Sequence, residues 1–153
     1  MAAPTSRDTG KSGSPSRPDT RATDAQTDAD LHYACWAGKL EEVKRILDTG
    51  RADVNSRRGV ERTPVMTAAR WGRRDVVELL VSQGADASLV DDVGNNILHW
   101  ACEGGDRETV EFVLSLDAVD VNARNNNGRT AADLARGLGH RQLSDLLVSR
   151  GTQ

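Results

Sequence analysis

The 153-residue sequence predicts an all-α fold in which four helical hairpins stack side by side into a solenoid. The first observation is an internal repeat, a short frame ending in glycine that recurs at steps of 34, 33 and 34 residues. The second is that each frame precedes an apolar segment with helical spacing. The third is an aromatic content of 3%, which suits a thin core sealed by aliphatic side chains and alanine. The repeat is marked by Gly38, Gly72, Gly105 and Gly139.

The first helix of each predicted hairpin is short and rich in alanine. Its four copies are LHYACWAG, VMTAARWG, LHWACEGG and ADLARGLG. One alanine is common to all four copies, and its small side chain lets neighbouring helices approach closely. Glycine then ends each helix, at a position where a positive φ angle is favourable for glycine. The alanine column consists of Ala34, Ala68, Ala101 and Ala135.

The second helix of each predicted hairpin carries one apolar stripe. Its apolar residues fall at positions i, i+3 and i+4, so they face the core while the charged residues between them face solvent. In the fourth copy, Ser144 replaces the first residue of the stripe. The stripes are Val43, Ile46 and Leu47; Val77, Leu80 and Val81; Val110, Val113 and Leu114; and Leu147 with Val148.

The repeated segments resemble the ankyrin-repeat family. TPVMTAARWG, VVELLVSQGAD, LHWAC and VDVNARNNNGRT are pieces of that family's motif, and the resemblance covers residues 28–151. It implies that each repeat is a helix-turn-helix unit, joined to the next by a hairpin-like finger. Three departures occur: an extra Arg51, a comparable insertion in LDAVDVN, and Glu61 at a turn position that glycine occupies in later fingers. We expect these to bulge the fingers without breaking the stack.

The domain boundaries follow from the repeat and from composition. Residues 1–27 are rich in Ser, Thr, Asp, Gly and Pro with few large apolar groups, so we predict a disordered tail. Thr27 or Asp28 is the expected N-cap of the first helix. Arg136 occupies a position that would face a following repeat, which predicts that the array ends with the fourth. The predicted repeats span about residues 28–57, 58–90, 91–124 and 125–151.

The segment LHWACEGG places histidine, cysteine and glutamate close together, as in zinc sites and thiol enzymes. However, the same pattern occurs in LHYACWAG, and a unique reactive centre would not be duplicated. The sequence contains no CxxC or HxxxH spacing for a metal site. The resemblance implies hydrogen-bonding roles for His32 and His99, and we expect Cys35 and Cys102 to be buried core thiols. We therefore predict no catalytic residues, no metal and no cofactor.

The function implied by the resemblance is binding of another protein, through the concave face and the finger tips. Two tryptophans and several arginines fall at these variable positions, and Trp and Arg are enriched at binding hot spots. Trp100 precedes the alanine column and is expected to pack against the fold instead. The predicted contact residues are Trp36, Arg58, Val60, Arg62, Arg70, Trp71, Asp92, Val93, Glu103, Asn127 and Arg129.

Charge predicts the kind of partner. Six arginines between positions 57 and 74 crowd the first finger and second repeat, whereas Asp91 and Asp92 mark the next finger. This pattern favours a protein with an acidic patch near an exposed apolar group; the alternative is that the arginines only solvate the surface. A net charge of -3 argues against nucleic acid, and no apolar run is long enough for a membrane span. We expect a monomer inside the cell, in the cytoplasm, the nucleus or both.

Two more specific functions resemble those of known ankyrin proteins. LDTGRADVN and LSLDAVDVN resemble the finger sites of asparaginyl hydroxylase substrates, which makes Asn55 and Asn122 the candidate modified residues. The four-repeat length and GRTAADLARGLGH resemble the ankyrin inhibitors of cyclin-dependent kinases. Those inhibitors have a shortened helix in their second repeat, whereas the second repeat here is full length, so we rank kinase inhibition below general scaffolding.

Overall fold

Eight α-helices form four helix-turn-helix units in the structure, a computed structural model that describes residues 24–151. The first helices of neighbouring units pack against one another, and so do the second helices of the first three units. The all-α repeat fold predicted from the sequence is thus confirmed. The units are α1 (Ala25–Ala37) with α2 (Leu40–Asp48), α3 (Pro64–Arg70) with α4 (Arg74–Ser82), α5 (Ile97–Gly104) with α6 (Arg107–Ser115), and α7 (Ala131–Gly137) with α8 (Arg141–Gly151).

The repeated sequence positions form the core. All four residues of the alanine column are buried, and so are the first two residues of each apolar stripe, including Ser144. The third residue of the stripe is half-buried in the first three units, where it packs at the edge of the core. Val148, at that position in the fourth unit, is exposed. Arg136 is exposed as well, whereas Cys35, Ala69 and Cys102 at the same position are buried.

Helix α1 begins three or four residues earlier than predicted. Its N-cap is Asp24, whose side chain accepts a hydrogen bond from the backbone N–H of Gln26, so Thr27 and Asp28 lie inside the helix. The Asp28 carboxylate instead accepts from the backbone N–H of Asp53 at 2.8 Å, which ties α1 to the segment after α2. The rest of the predicted disordered tail lies outside the described residues.

The three fingers are short, closed turns that stack on each other. Arg58 and Arg62 exchange backbone hydrogen bonds of 3.0 and 2.8 Å, and one such bond closes each later finger. Neighbouring fingers are joined by backbone bonds from Asp92 to Val60 and from Asn126 to Val93. Glu61 adopts a φ of 66°, the left-handed conformation that glycine supplies in the later fingers. The stack therefore tolerates the substitution.

Candidate functional site

The two histidines of the repeated motif hold the backbone together. His99 Nδ1 lies 3.1 Å from the backbone nitrogen of Asn96, and its Nε2 lies 3.0 Å from the carbonyl oxygen of Arg129 in the following finger. His32 Nε2 lies 3.1 Å from both the carbonyl and hydroxyl oxygens of Ser56. These contacts confirm the structural role expected for both residues.

Neither cysteine has the setting of a nucleophile. Cys35 and Cys102 are free thiols in the core, and burial raises the pKa of each to about 12. Burial is the main cause that lowers the pKa of His32 to about 4. The hydrogen bond to Ser56 opposes this shift, and the positive charges of Arg58 and Arg62 add to it. Among residues 24–151, no group of three or more His, Cys, Asp or Glu side chains is placed to hold a metal ion.

An open groove of about 620 Å³ runs across the first helices of the first three repeats and reaches the first finger. We call it the aromatic groove, because all three tryptophans and the one tyrosine of the sequence line it. The single phenylalanine is the one aromatic residue of the sequence that does not line this groove. The lining residues are Ala29, His32, Tyr33, Trp36, Arg58, Arg62, Thr67, Arg70, Trp71, Trp100 and Glu103.

One wall of the aromatic groove is a row of exposed rings. Tyr33, Trp36 and Trp71 are 57%, 45% and 47% exposed. The ring centroids of Tyr33 and Trp36 are 5.6 Å apart, and those of Trp36 and Trp71 are 6.2 Å apart in an edge-to-face arrangement. Rings in mutual contact are held in place yet keep much of their surface open, so they are ready to contact another apolar group.

Arginine side chains lie against two of the rings that line the groove. The guanidinium group of Arg62 lies 5.5 Å from the ring centroid of Trp100, and that of Arg70 lies 4.6 Å from the ring centroid of Trp71. Arg70 is also 3.9 Å from a Glu103 carboxylate oxygen, a long ion pair in a partly exposed setting. The Trp100 indole N–H donates to Asp91 at 2.9 Å, which fixes the ring under Arg62.

The remaining arginines of the basic cluster are committed to the fold. Arg57 donates to the carbonyl oxygens of Glu61 and Val90, at 2.8 and 2.6 Å. Arg73 donates to the carbonyl oxygen of Trp36 at 3.2 Å, and Arg74 pairs with glutamates on α4 and α6. Three of the six arginines thus make contacts within the fold, and the other three line the aromatic groove.

The structure brings six of the eleven predicted contact residues together in the aromatic groove. The other five lie on the fingers, with Val60 exposed at the first tip, Asp92 and Val93 on the second, and Asn127 and Arg129 exposed on the third. Their part in binding remains a prediction. The six groove residues are Trp36, Arg58, Arg62, Arg70, Trp71 and Glu103.

Sequence reasoning missed one column of the groove. Tyr33, Thr67 and Trp100 each precede a residue of the alanine column, and all three line the groove. Trp100 was expected to pack against the fold; it does so through Asp91 and Arg62, but one side also faces the groove. The sequence contained a signal for this column, because two of the four residues at this repeat position are aromatic.

The sequence matches the family model for ankyrin repeats over residues 16–91 and 84–153. The chain belongs to the ankyrin-repeat family. The ankyrin-repeat domain is a noncatalytic module for protein–protein interaction, so the fold and the family agree on the kind of surface to expect.

Curated relatives match this chain only through their own repeats. They include ankyrin repeat and SAM domain-containing protein 6 of Mus musculus, 40% identical over 106 residues, which is 69% of this chain and 12% of the relative. A mouse B-cell lymphoma 3 protein homolog is 31% identical over 84% of this chain and 30% of its own length. A probable palmitoyltransferase of Saccharomyces uvarum is 34% identical over 74% of this chain and 16% of its own length. The shared part is the ankyrin-repeat domain.

Helix length also bears on membranes. None of the eight helices between residues 24 and 151 is long and apolar enough to cross a lipid bilayer.

Proposed function

We propose that this ankyrin-repeat protein is a nonenzymatic adaptor, scaffold or regulatory subunit that binds a protein partner through its concave face and finger tips. The observation that carries the proposal is the aromatic groove, which gathers four of the five aromatic residues of the sequence beside three arginines. Aromatic and arginine side chains dominate the energy of protein interfaces. Three rings in the groove are about half exposed and so offer apolar surface to a partner.

The partner that suits this surface has an acidic patch next to an apolar side chain. Arg58, Arg62 and Arg70 outnumber Glu103 in the groove, so a negatively charged surface would be attracted to it. Nucleic acid is disfavoured, because the net charge of the chain is -3. We further propose a monomer in a reducing compartment, the cytoplasm, the nucleus or both, which accords with two buried free thiols.

Affinity capture tests the proposal with a groove variant and a matched control. The groove variant carries Trp36→Ala, Arg70→Ala and Trp71→Ala; the control carries Lys44→Ala, Glu78→Ala and Glu111→Ala, three exposed residues on the second helices. We expect wild type and control to retain the same partner and the groove variant to lose it. If the groove variant keeps its helical circular dichroism and every partner, the groove is not the binding surface.

Modification by an asparaginyl hydroxylase is a second candidate function. Asn55 is half-buried and its side chain accepts a hydrogen bond from the backbone N–H of Asp86 at 2.9 Å, while Asn122 is exposed and its side chain donates to the Gly151 carbonyl at 3.3 Å. The greater exposure makes Asn122 the better substrate of the two. Measuring the intact mass after incubation with the enzyme, 2-oxoglutarate and iron tests this candidate function. Hydroxylation adds the mass of one oxygen atom, and an unchanged mass would rule the modification out.

Inhibition of a protein kinase is the third candidate and the least supported. Helix α3 of the second repeat has seven residues, as many as α7 of the fourth, so it is not shortened like the corresponding helix of the ankyrin kinase inhibitors. A kinase pull-down with micromolar protein tests the idea. If no kinase is retained, the kinase-inhibitor hypothesis is wrong.

A further inference from the structure

Two residues that line the aromatic groove each carry a buried polar atom without a partner in the described part of the chain. Arg62 Nε and Thr67 Oγ1 are inaccessible to solvent and form no hydrogen bond within the described part of the chain. Thr67 is only 6% exposed, and both residues line the groove. A buried polar group without a partner destabilises a protein by about 1–3 kcal/mol, so such atoms are uncommon in folded chains. Both residues line the groove, so a ligand that displaces the side chains covering these atoms as it enters would supply the missing partner.

The missing partner is an oxygen acceptor. An arginine Nε can only donate a hydrogen bond, and a threonine hydroxyl can donate as well. One carboxylate has two acceptor oxygens and can serve both atoms. The nearby charges agree with this, because three arginines line the groove against the single Glu103. These four side chains carry a net charge of about +2, which attracts any anion, and a carboxylate is the anion that an unmodified protein partner carries.

The exposed rings specify what lies beside the carboxylate. Tyr33, Trp36 and Trp71 form a continuous aromatic wall along the same groove. A ligand that contacted only Arg62 and Thr67 would leave this wall exposed to water. An aromatic or aliphatic side chain adjacent to the carboxylate would cover it.

We propose that Arg62 and Thr67 form a carboxylate site for an Asp or Glu side chain of the partner, whose neighbouring apolar side chain packs on Trp36 and Trp71. This inference rests on the proposed function and specifies the recognition element. Residues 1–23 of the chain itself are a poor occupant, because they carry four basic and two acidic residues and share the positive sign of the groove.

Selection of random phage-displayed peptides on the full chain tests the inference. We expect enriched peptides to carry Asp or Glu beside Trp, Phe or Leu. Replacing that Asp by Asn should weaken binding roughly 10- to 100-fold, the range of one hydrogen bond to a charged group. Enrichment of peptides without an acidic residue, no enrichment at all, tighter binding of a phosphoserine version, or competition by a peptide of residues 1–23 would each overturn the inference.

A pair of Thr→Val variants distinguishes a ligand-binding threonine from a structural one. Thr67→Val keeps the shape and removes the unpartnered hydroxyl, so the midpoint of thermal unfolding should rise while peptide affinity falls about two- to tenfold. Thr109 is the matched control, since it is buried outside the groove and its hydroxyl donates to Asp106 at 2.6 Å. Thr109→Val should lower the midpoint and leave affinity unchanged. Affinity unaltered by Thr67→Val contradicts the assignment.

The two proposals fail in different ways. If the groove variant loses its captured partner but Thr67→Val and Arg62→Gln bind that partner like wild type, the interaction function stands and the carboxylate site is wrong. If the groove variant retains every captured partner, the groove is not the binding surface, and the proposed function is wrong on that point. A selected peptide that binds wild type but not the groove variant then serves as an independent measure of binding in the groove.

Discussion

At the scale of single residues, the fold depends on neutral, buried histidines. His99 bridges its own helix cap and the next finger, and His32 holds Ser56, as described above. Burial is the largest cause that lowers the pKa of both, with the pKa of His32 at about 4. Protonation of either ring in the folded state would place a charge in a buried site.

The low histidine pKa predicts a loss of stability in mild acid. Between the unfolded pKa near 6.5 and the folded pKa near 4, the unfolded chain binds protons that the folded chain does not, so the free energy of unfolding falls as pH falls. His32 alone should account for up to about 3 kcal/mol across this range. Urea unfolding at several pH values measures the slope. His32→Gln should flatten it, and equal slopes in the two proteins would contradict the assignment.

Residue identity alone did not reveal how the arginines divide between the groove and the fold. Arg57, Arg73 and Arg62 look alike in the sequence, yet the first two bond to backbone carbonyls while the third stacks on Trp100. Their partners lie 33 to 38 residues away, or are carbonyls that every residue carries. The division depends on the positions of neighbouring repeats, which only coordinates provide.

At the scale of helices, close approach between α3 and α5 depends on Gly104. A Cβ atom on Gly104 would collide with the Arg70 carbonyl oxygen. Gly137 is the last residue of α7, as Gly104 is of α5, but it lies one repeat position earlier, and an added Cβ there would meet open space. Two glycines that each end a first helix therefore have different packing environments.

This difference predicts opposite effects of the same substitution. Gly104→Ala should destabilise the protein by about 1–3 kcal/mol, because the helices must separate. Gly137→Ala should stabilise it by about 0.5–1 kcal/mol, because alanine is the better helix former and nothing obstructs it. Thermal and urea unfolding of both variants test this. Equal effects of the two changes would show that α3 and α5 are not in close contact.

Repeat periodicity predicted the helices and their buried faces well. The alanine column and the apolar stripes lie where their spacing placed them, because each helix must bury the same face against its neighbours. The start of α1 was missed because capping by Asp24 is local chemistry outside the repeat pattern. The Tyr33, Thr67 and Trp100 column was missed because it faces the groove, although its residues directly precede the buried column.

At the scale of the whole molecule, the stacked units explain why one surface collects the binding side chains. Corresponding positions of successive first helices come side by side, so residues 33 or more positions apart in sequence form one row. Trp36 and Trp71, at neighbouring positions of the repeat frame, meet in this row across a repeat boundary. Variation at a few positions can therefore alter the groove while the buried columns keep the stack intact.

Site-specific photocrosslinking in cells tests the central claim, that the aromatic groove is the surface which meets a protein partner. A benzophenone amino acid would replace Tyr33 in one protein and Glu111, an exposed residue of α6, in another. We predict a discrete crosslinked partner from position 33, lost when Arg62→Gln is added, and none from position 111. Equal crosslinking from both positions, or crosslinking from position 111 alone, would contradict the account.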